Sequence, residues 1–123
     1  MPGPLAGIRV IETATGVAGP YCGRMLAGLG AQVVKVEPPA GDSARREGPF
    51  PADIPHRERS GLFLHLNTGK KSVVLPENGS LGDLLRGGDV LITGTTAEVP
   101  DGTDRLIGWW DGRAARRAGR PFR

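Results

Sequence analysis

The stretch from Pro4 to Glu37 constrains the fold more than any other part of the chain. It runs through a short apolar group at Ile8, Val10 and Ile11, a glycine-containing loop from Thr13 to Gly19, a periodic segment from Pro20, and a valine run at Val33, Val34 and Val36. The first and last groups are too compact for helices and rich in β-branched residues, so they predict strands. Pro20, with its fixed φ and missing N–H, suits the first position of a helix. Tyr21, Cys22, Met25, Leu26 and Leu29 follow at spacings of one, three and four, which predicts that they share the inward face. Gly30 is placed to stop the helix as a left-handed cap. The result is a predicted β-α-β unit with parallel strands and a right-handed crossover.

Residues 38–61 have a different character. Five prolines (Pro38, Pro39, Pro49, Pro51, Pro55) and scattered charges leave almost no periodicity, so this is a long loop or flap. Loops of that length inside compact domains usually serve function or move. Leu62 to Leu66 is too short to assign to strand or helix. Asn67 to Lys71 reads as a turn, and Ser72 to Leu75 as a short strand closed by Pro76 and the Asn78-Gly79 turn. Ser80 can cap a brief helix with Leu81, Leu84 and Leu85 facing inward, and Gly87-Gly88 ends it. Val90, Leu91 and Ile92 form a fourth strand. The expected architecture is α/β, a Rossmann-like open parallel sheet of about four strands over residues 1–107. Trp109 and Trp110 are adjacent and point different ways in any regular element, and residues 108–123 read as a basic, unfolded tail.

The chain has 123 residues, 20 Gly and 11 Pro, with 5% aromatics, which limits it to one small domain with a thin core. Its formal charge of +3 invites a nucleic-acid reading, but Arg113, Arg116, Arg117, Arg120 and Arg123 supply it. Without those five, 11 basic residues face 13 acidic ones, so the folded part is not basic. No aromatic stacking platform or nucleic-acid motif accompanies the tail. Cys22 is the only cysteine, which excludes an internal disulfide. No leader pattern follows Met1 and no apolar run approaches the ~20 residues that span a bilayer, so the expectation is a cytoplasmic protein that avoids membranes.

Chemistry has few anchors. The Thr13 to Gly23 loop lies where an open parallel sheet binds anions, beyond a strand's carboxyl end and before a helix. Glu37 ends the second strand, where a ribose-binding acid would sit. However, Gly16, Gly19 and Gly23 do not make G-x-G-x-x-G, and the loop is not G-x-x-x-x-G-K-[ST]. Lys70-Lys71 can clamp a phosphate as point charges, and Arg45 and Arg46 admit the same use; ordinary exposed side chains are the simpler reading for all four. His56 reads as a loop residue and His65 as a partly buried structural one, with no ligand spacing for a metal. No G-x-S-x-G elbow is present. Cys22, without a partner base, reads as a small core residue.

The order P-L-A-G-I-R-V-I-E at Pro4 to Glu12, A-G-P at Ala18 to Pro20, L-G-A-Q-V-V-K-V-E-P-P at Leu29 to Pro39 and G-D at Gly41-Asp42 resembles the start of the family III CoA-transferases. F-L-H-L-N-T-G-K-K-S-V-V-L at Phe63 to Leu75 is similar to that family's F…N-x-x-K-x-S-x-x-L segment, and Asp89 to Ile92 to its A-D-V-L-I strand. The resemblance covers about residues 4–93. It implies a Rossmann-like large domain, present here as a truncated N-terminal segment, that takes coenzyme A or an acyl-CoA thioester as substrate; no metal is expected, since the residues offer no ligand spacing. It places CoA contacts at Val17, Ala18, Pro38 and Leu75, with Lys71 of the lysine pair added to them.

The same resemblance implies an aspartate nucleophile in the transferases, a proton shift in the racemases, and interlocked homodimers. Departures are clear: Pro76-Glu77-Asn78 replaces D-L-K, and Gly94-Thr95-Thr96 replaces the segment after A-D-V-L-I. None of Asp89, Asp101, Asp104 and Asp111 matches the family's aspartate, so no catalytic residue is assigned. The expectation is a CoA-binding-type domain inactive alone, or a subunit completed by a second copy or a fuller CoA-transferase chain, or an interaction fragment.

Overall fold

The structure, a computed structural model, describes residues 2–76 and 79–94. The reading of a turn at Asn78, of Trp109 and Trp110, and of the basic tail lies outside these residues. Four strands form one sheet: β1 (Arg9–Glu12), β2 (Gln32–Glu37), β3 (Lys71–Val74) and β4 (Val90–Ile92). All pairings are parallel and the order is β3-β2-β1-β4. Helix α1 (Ala18–Gly28) connects β1 to β2, α2 (Gly61–Asn67) precedes β3, and α3 (Leu81–Arg86) precedes β4. The expected α/β parallel sheet is therefore present.

Alternation along the strands divides the core in two. Ile11, Val34 and Leu85 are buried together on one face, with Val36, Val73, Leu81, Leu84 and Leu91 around them, so α3 covers an apolar surface. On the other face Val10, Ala31 and Val33 pack with Leu26 and Ala27 of α1. That face turns ionic toward the carboxyl ends, because Glu12 follows Val10 and Lys35 and Glu37 follow Val33 at period two. Parallel strands covered on both sides are usually apolar throughout. The buried charges are the departure that matters.

Helix α1 starts two residues earlier than expected, and its inward face is not the predicted one. Pro20 and Gly23 are buried, Leu26 and Ala27 are half-buried, while Tyr21, Met25 and Leu29 are 47%, 53% and 44% exposed and Cys22 is also exposed. The reason is clearance. A Cβ on Gly19 would stand 2.3 Å from Ala14 Cβ, and one on Gly23 would stand 1.9 Å from Glu12 Oε2. Only the glycine-bearing side can approach the sheet this closely, so the larger side chains turn outward. Gly30 does end the helix, at φ +98°, with its N–H on the Ala27 carbonyl at 3.0 Å.

Leu62 to Leu66, unassigned from sequence, lies within α2. Ser60 caps it, its hydroxyl oxygen accepting the Phe63 N–H at 3.1 Å. Phe63 and Leu66 face inward at spacing three. Residues 38–60 contain no α-helix or strand but two 3-10 turns, Ser43–Arg46 and Pro51–Asp53. Helix α3 ends at Gly87 as expected, although Ser80 makes no side-chain cap.

Candidate functional site

Strand order reverses between β1 and β4: β2 and β3 lie to one side of β1, β4 to the other. In open α/β sheets this switch point, beyond the carboxyl ends, is where ligands bind. Here the glycine-containing loop leaves β1 and enters α1, and the Thr13 N–H bonds the Ile92 carbonyl of β4 at 2.8 Å. Gly16 takes φ +77° in that loop, a conformation glycine adopts without strain.

Beneath the loop lies a buried chain of alternating charges. Lys35 is 1% exposed, and its Nζ donates to Glu12 Oε1 at 3.0 Å and to the Ala14 carbonyl at 2.8 Å while pairing with Asp42 Oδ2 at 2.7 Å. Glu12 and Asp42 are fully buried. Lys70 adds a second cation to Glu12, with Nζ 3.0 Å from Oε1 and 2.8 Å from Oε2. Two lysines and two carboxylates balance in charge. Lys70 has three acceptors, whereas Lys35 has two and meets Asp42 Oδ2 as an ion pair, and neither that oxygen nor Glu12 Oε2 accepts a hydrogen bond. Asp42 Oδ1 also accepts the Ala44 N–H at 2.8 Å, capping the first 3-10 turn. Burial pushes the Lys70 pKa down, against the pull of Glu12.

Glu37 forms a second hub at the end of β2. Arg45 donates to both of its oxygens (Nε to Oε2 at 2.7 Å, Nη2 to Oε1 at 2.8 Å), Ser72 donates to Oε1 at 2.5 Å, and the Asp42 N–H to Oε2 at 2.9 Å. The Arg45 guanidinium lies 3.7 Å from the Phe63 ring centroid, so the same side chain ties the 38–60 loop to α2. Burial raises the Glu37 pKa, but the hydrogen bonds from Arg45, Ser72 and Asp42 outweigh it and hold the group at about 2 instead of 4.5. The Glu37 carboxylate in turn raises the Arg45 pKa.

A depressed carboxylate stabilises the fold fully above its unfolded value near 4.5 and loses that contribution as pH falls toward about 2. Glu37→Gln is therefore expected to remove about 2 kcal/mol at pH 7, after allowance for solvent screening, and progressively less below pH 4.5. Urea denaturation of both chains from pH 7 to pH 3 measures this, and parallel pH profiles would contradict it.

Of the five residues assigned to CoA, Val17 and Ala18 stand exposed at the start of α1, Pro38 is exposed directly after β2, and Leu75 is half-buried directly after β3. These four share the carboxyl rim of the sheet. Lys71 does not join them: it is exposed at the amino start of β3, level with Val34. Lys70 corrects the reading of an ordinary exposed lysine, since its side chain is 1% exposed. Arg45 is likewise mostly covered, whereas Arg46 is exposed. Glu37 has no acceptor site left for a ribose.

His65 corrects the expectation of partial burial; it is exposed and lies against Arg24, whose Nη1 is 2.7 Å from Nε2. His56 is an exposed loop residue whose Nδ1 accepts the Glu58 N–H at 3.1 Å. Among the described residues no group of three His, Cys, Asp or Glu side chains could hold a metal ion, and no helix is long and apolar enough to cross a membrane. Lys35, Glu12 and Asp42 belong to no site pattern in the sequence. Their signal was a lysine set between valines, Val34-Lys35-Val36, on a strand covered from both sides.

An open parallel sheet with a glycine-containing loop at its switch point defines a Rossmann-like α/β fold. Residues 5–106 match the profile of CoA-transferase family III, and the chain belongs to that family. It is 44% identical over 73 residues to a succinyl-CoA:mesaconate CoA-transferase of Haloarcula hispanica, covering 59% of this chain and 18% of that one. It is 45% identical over 97 residues to a succinate–glutarate CoA-transferase of Agrobacterium fabrum, covering 72% of this chain and 24% of that one. The crystal structure of Rv3272 from Mycobacterium tuberculosis in its orthorhombic form matches with a TM-score of 0.66 at 32% identity, over 94% of this chain and 32% of that one. The chain thus spans between about a fifth and a quarter of the length of these curated relatives.

Proposed function

We propose that this chain is a coenzyme-A-binding domain of the CoA-transferase type that performs no acyl transfer alone. The ligand is a CoA thioester, received along Val17, Ala18, Pro38 and Leu75. The observation that carries this reading is the position of those four residues along the carboxyl rim of one sheet, from the switch point at Val17 and Ala18 to the β3 edge at Leu75, in a chain of this family. Lys71 is a weaker member of the set, standing at the other end of β3.

The absence of turnover is supported by how the buried acids are used. A nucleophilic carboxylate must reach the thioester carbonyl unencumbered. Glu12, Glu37 and Asp42 are instead held by Lys35, Lys70 and Arg45. On this reading none of these three is the acyl-accepting carboxylate.

Titration calorimetry with coenzyme A is expected to give a saturable heat, and no heat at millimolar coenzyme A would overturn the binding reading. An acyl-transfer assay with succinyl-CoA and a dicarboxylate acceptor is expected to show no turnover by the purified chain. Turnover by the chain alone would overturn the second part.

The outward apolar stripe of α1, Val17, Tyr21, Met25 and Leu29, favours one further reading: a surface that self-associates or docks on a fuller CoA-transferase subunit, the latter completing the site. Sedimentation is expected to show self-association or dependence on that partner. A monodisperse, stable monomer would contradict it.

A further inference from the structure

We infer that Lys70 is a positioning residue for the loop 13–19, a tether that fixes the amino end of α1 against the carboxyl rim of the sheet. The inference deepens the coenzyme A reading and rests on it only for the consequence in binding. Lys70 leaves the backbone in the turn between α2 and β3, yet its Nζ reaches three other pieces of chain. It pairs with Glu12 at the end of β1, donates to the Pro20 carbonyl in the first turn of α1 at 2.6 Å, and donates to Asn67 Oδ1 at 2.9 Å.

An ammonium has three donors, and these acceptors use all of them. With its side chain 1% exposed, Lys70 has nothing left to offer an anion directly. It acts through the loop. Glu12 and Pro20 bracket residues 13–19, so one nitrogen closes that loop at both ends. Val17 and Ala18 lie inside the closed segment. Thr13 on the Ile92 carbonyl and Lys35 on the Ala14 carbonyl hold the first residues of the loop, and Lys70 adds a hold on the first turn of α1, where Val17 provides no side-chain cap. Asn67 is itself aimed by its Nδ2, which donates to the Phe63 carbonyl at 2.9 Å. Gly23 leaves the room: a Cβ there would stand 3.1 Å from Lys70 Nζ.

The test must separate a tether from a mere buried charge. Lys70→Met alone leaves Glu12 and Asp42 facing one lysine, so Glu12→Gln is added in the same full-length chain to restore the balance. The double variant is expected to keep a thermal midpoint close to the wild type. Its hydrogen exchange is expected to rise tenfold or more across residues 13–24 while residues 32–37 keep wild-type protection, and its Kd for coenzyme A to weaken tenfold or more. Asn67→Ala, which keeps every charge, is expected to raise exchange about threefold in the same segment only.

A folded double variant with wild-type exchange over 13–24 would overturn the tether. If the double variant does not fold, wild-type exchange in Asn67→Ala overturns it equally. A wild-type chain that gives no heat with coenzyme A would overturn the coenzyme reading alone, because the exchange data judge the tether without any ligand.

Discussion

Replacing Lys35 with methionine is expected to destabilise the fold by about 3–5 kcal/mol at pH 7, a loss comparable to the whole stability of a small domain. The side chain is 1% exposed and sits between Glu12 and Asp42 at 3.0 and 2.7 Å. Methionine matches much of its volume, so packing is not what fails. The cost lies in two buried carboxylates left with one cation, Lys70, which touches only Glu12. Adding Asp42→Asn removes the surplus charge and is expected to recover a large part of the loss. Urea denaturation of the single and double variants measures both. A single variant within about 0.5 kcal/mol of the wild type would show that the cluster does not carry its charges as described.

The second large effect reverses an expectation from helix propensity. Glycine inside a helix costs about 1 kcal/mol relative to alanine, so Gly23→Ala in α1 should stabilise on local grounds. The tertiary structure predicts the opposite. The new methyl group would stand 1.9 Å from Glu12 Oε2, an oxygen that cannot retreat because Lys35 and Lys70 hold its carboxylate. Overpacking of this kind typically costs about 1–3 kcal/mol, and the helix must lift off the sheet to relieve it. Gly28→Ala is the control. It lies at the last turn of the same helix with nothing within 4 Å of its Cβ position, and is expected to stabilise by up to about 1 kcal/mol. Thermal melts of the two variants must therefore move in opposite directions, and a shared direction would refute the account of why α1 faces as it does.

Both predictions turn on residues whose importance was hidden in the sequence. The glycines at 16, 19 and 23 were read as a nucleotide-loop pattern that failed to match. Their work is to bring α1 close to the end of β1, with Gly19 over Ala14 and Gly23 over Glu12. Lys70 is neither the phosphate clamp nor the exposed side chain that its place beside Lys71 suggests. Its partners Glu12 and Pro20 lie some fifty residues away along the chain, beyond the reach of any local pattern. The four proposed contact positions Val17, Ala18, Pro38 and Leu75 rest on the family motif; Pro38 and Leu75 directly follow β2 and β3, while Val17 and Ala18 stand at the start of α1.

The sequence by itself determined the local elements and their type. Short β-branched runs at Val10, Val33 and Val90 signal strands at that length, and Gly30 stops a helix because glycine takes φ +98° without strain, whereas α2 and its Ser60 cap emerge only in the structure. The first β-α-β unit follows from the Val10 and Val33 runs, the Gly30 stop and the motif order. Only the tertiary structure decided which face of α1 turns inward and where the charges go. Periodicity ranks side chains by hydrophobicity, and on that ranking Tyr21, Met25 and Leu29 win. In the folded chain a buried, charge-balanced cluster at Glu12, Lys35, Asp42 and Lys70 needs the helix close above it, and close approach selects Pro20 and Gly23 instead. Clearance over an ion pair outweighed the hydrophobic stripe, because that constraint joins residues that no window of sequence brings together.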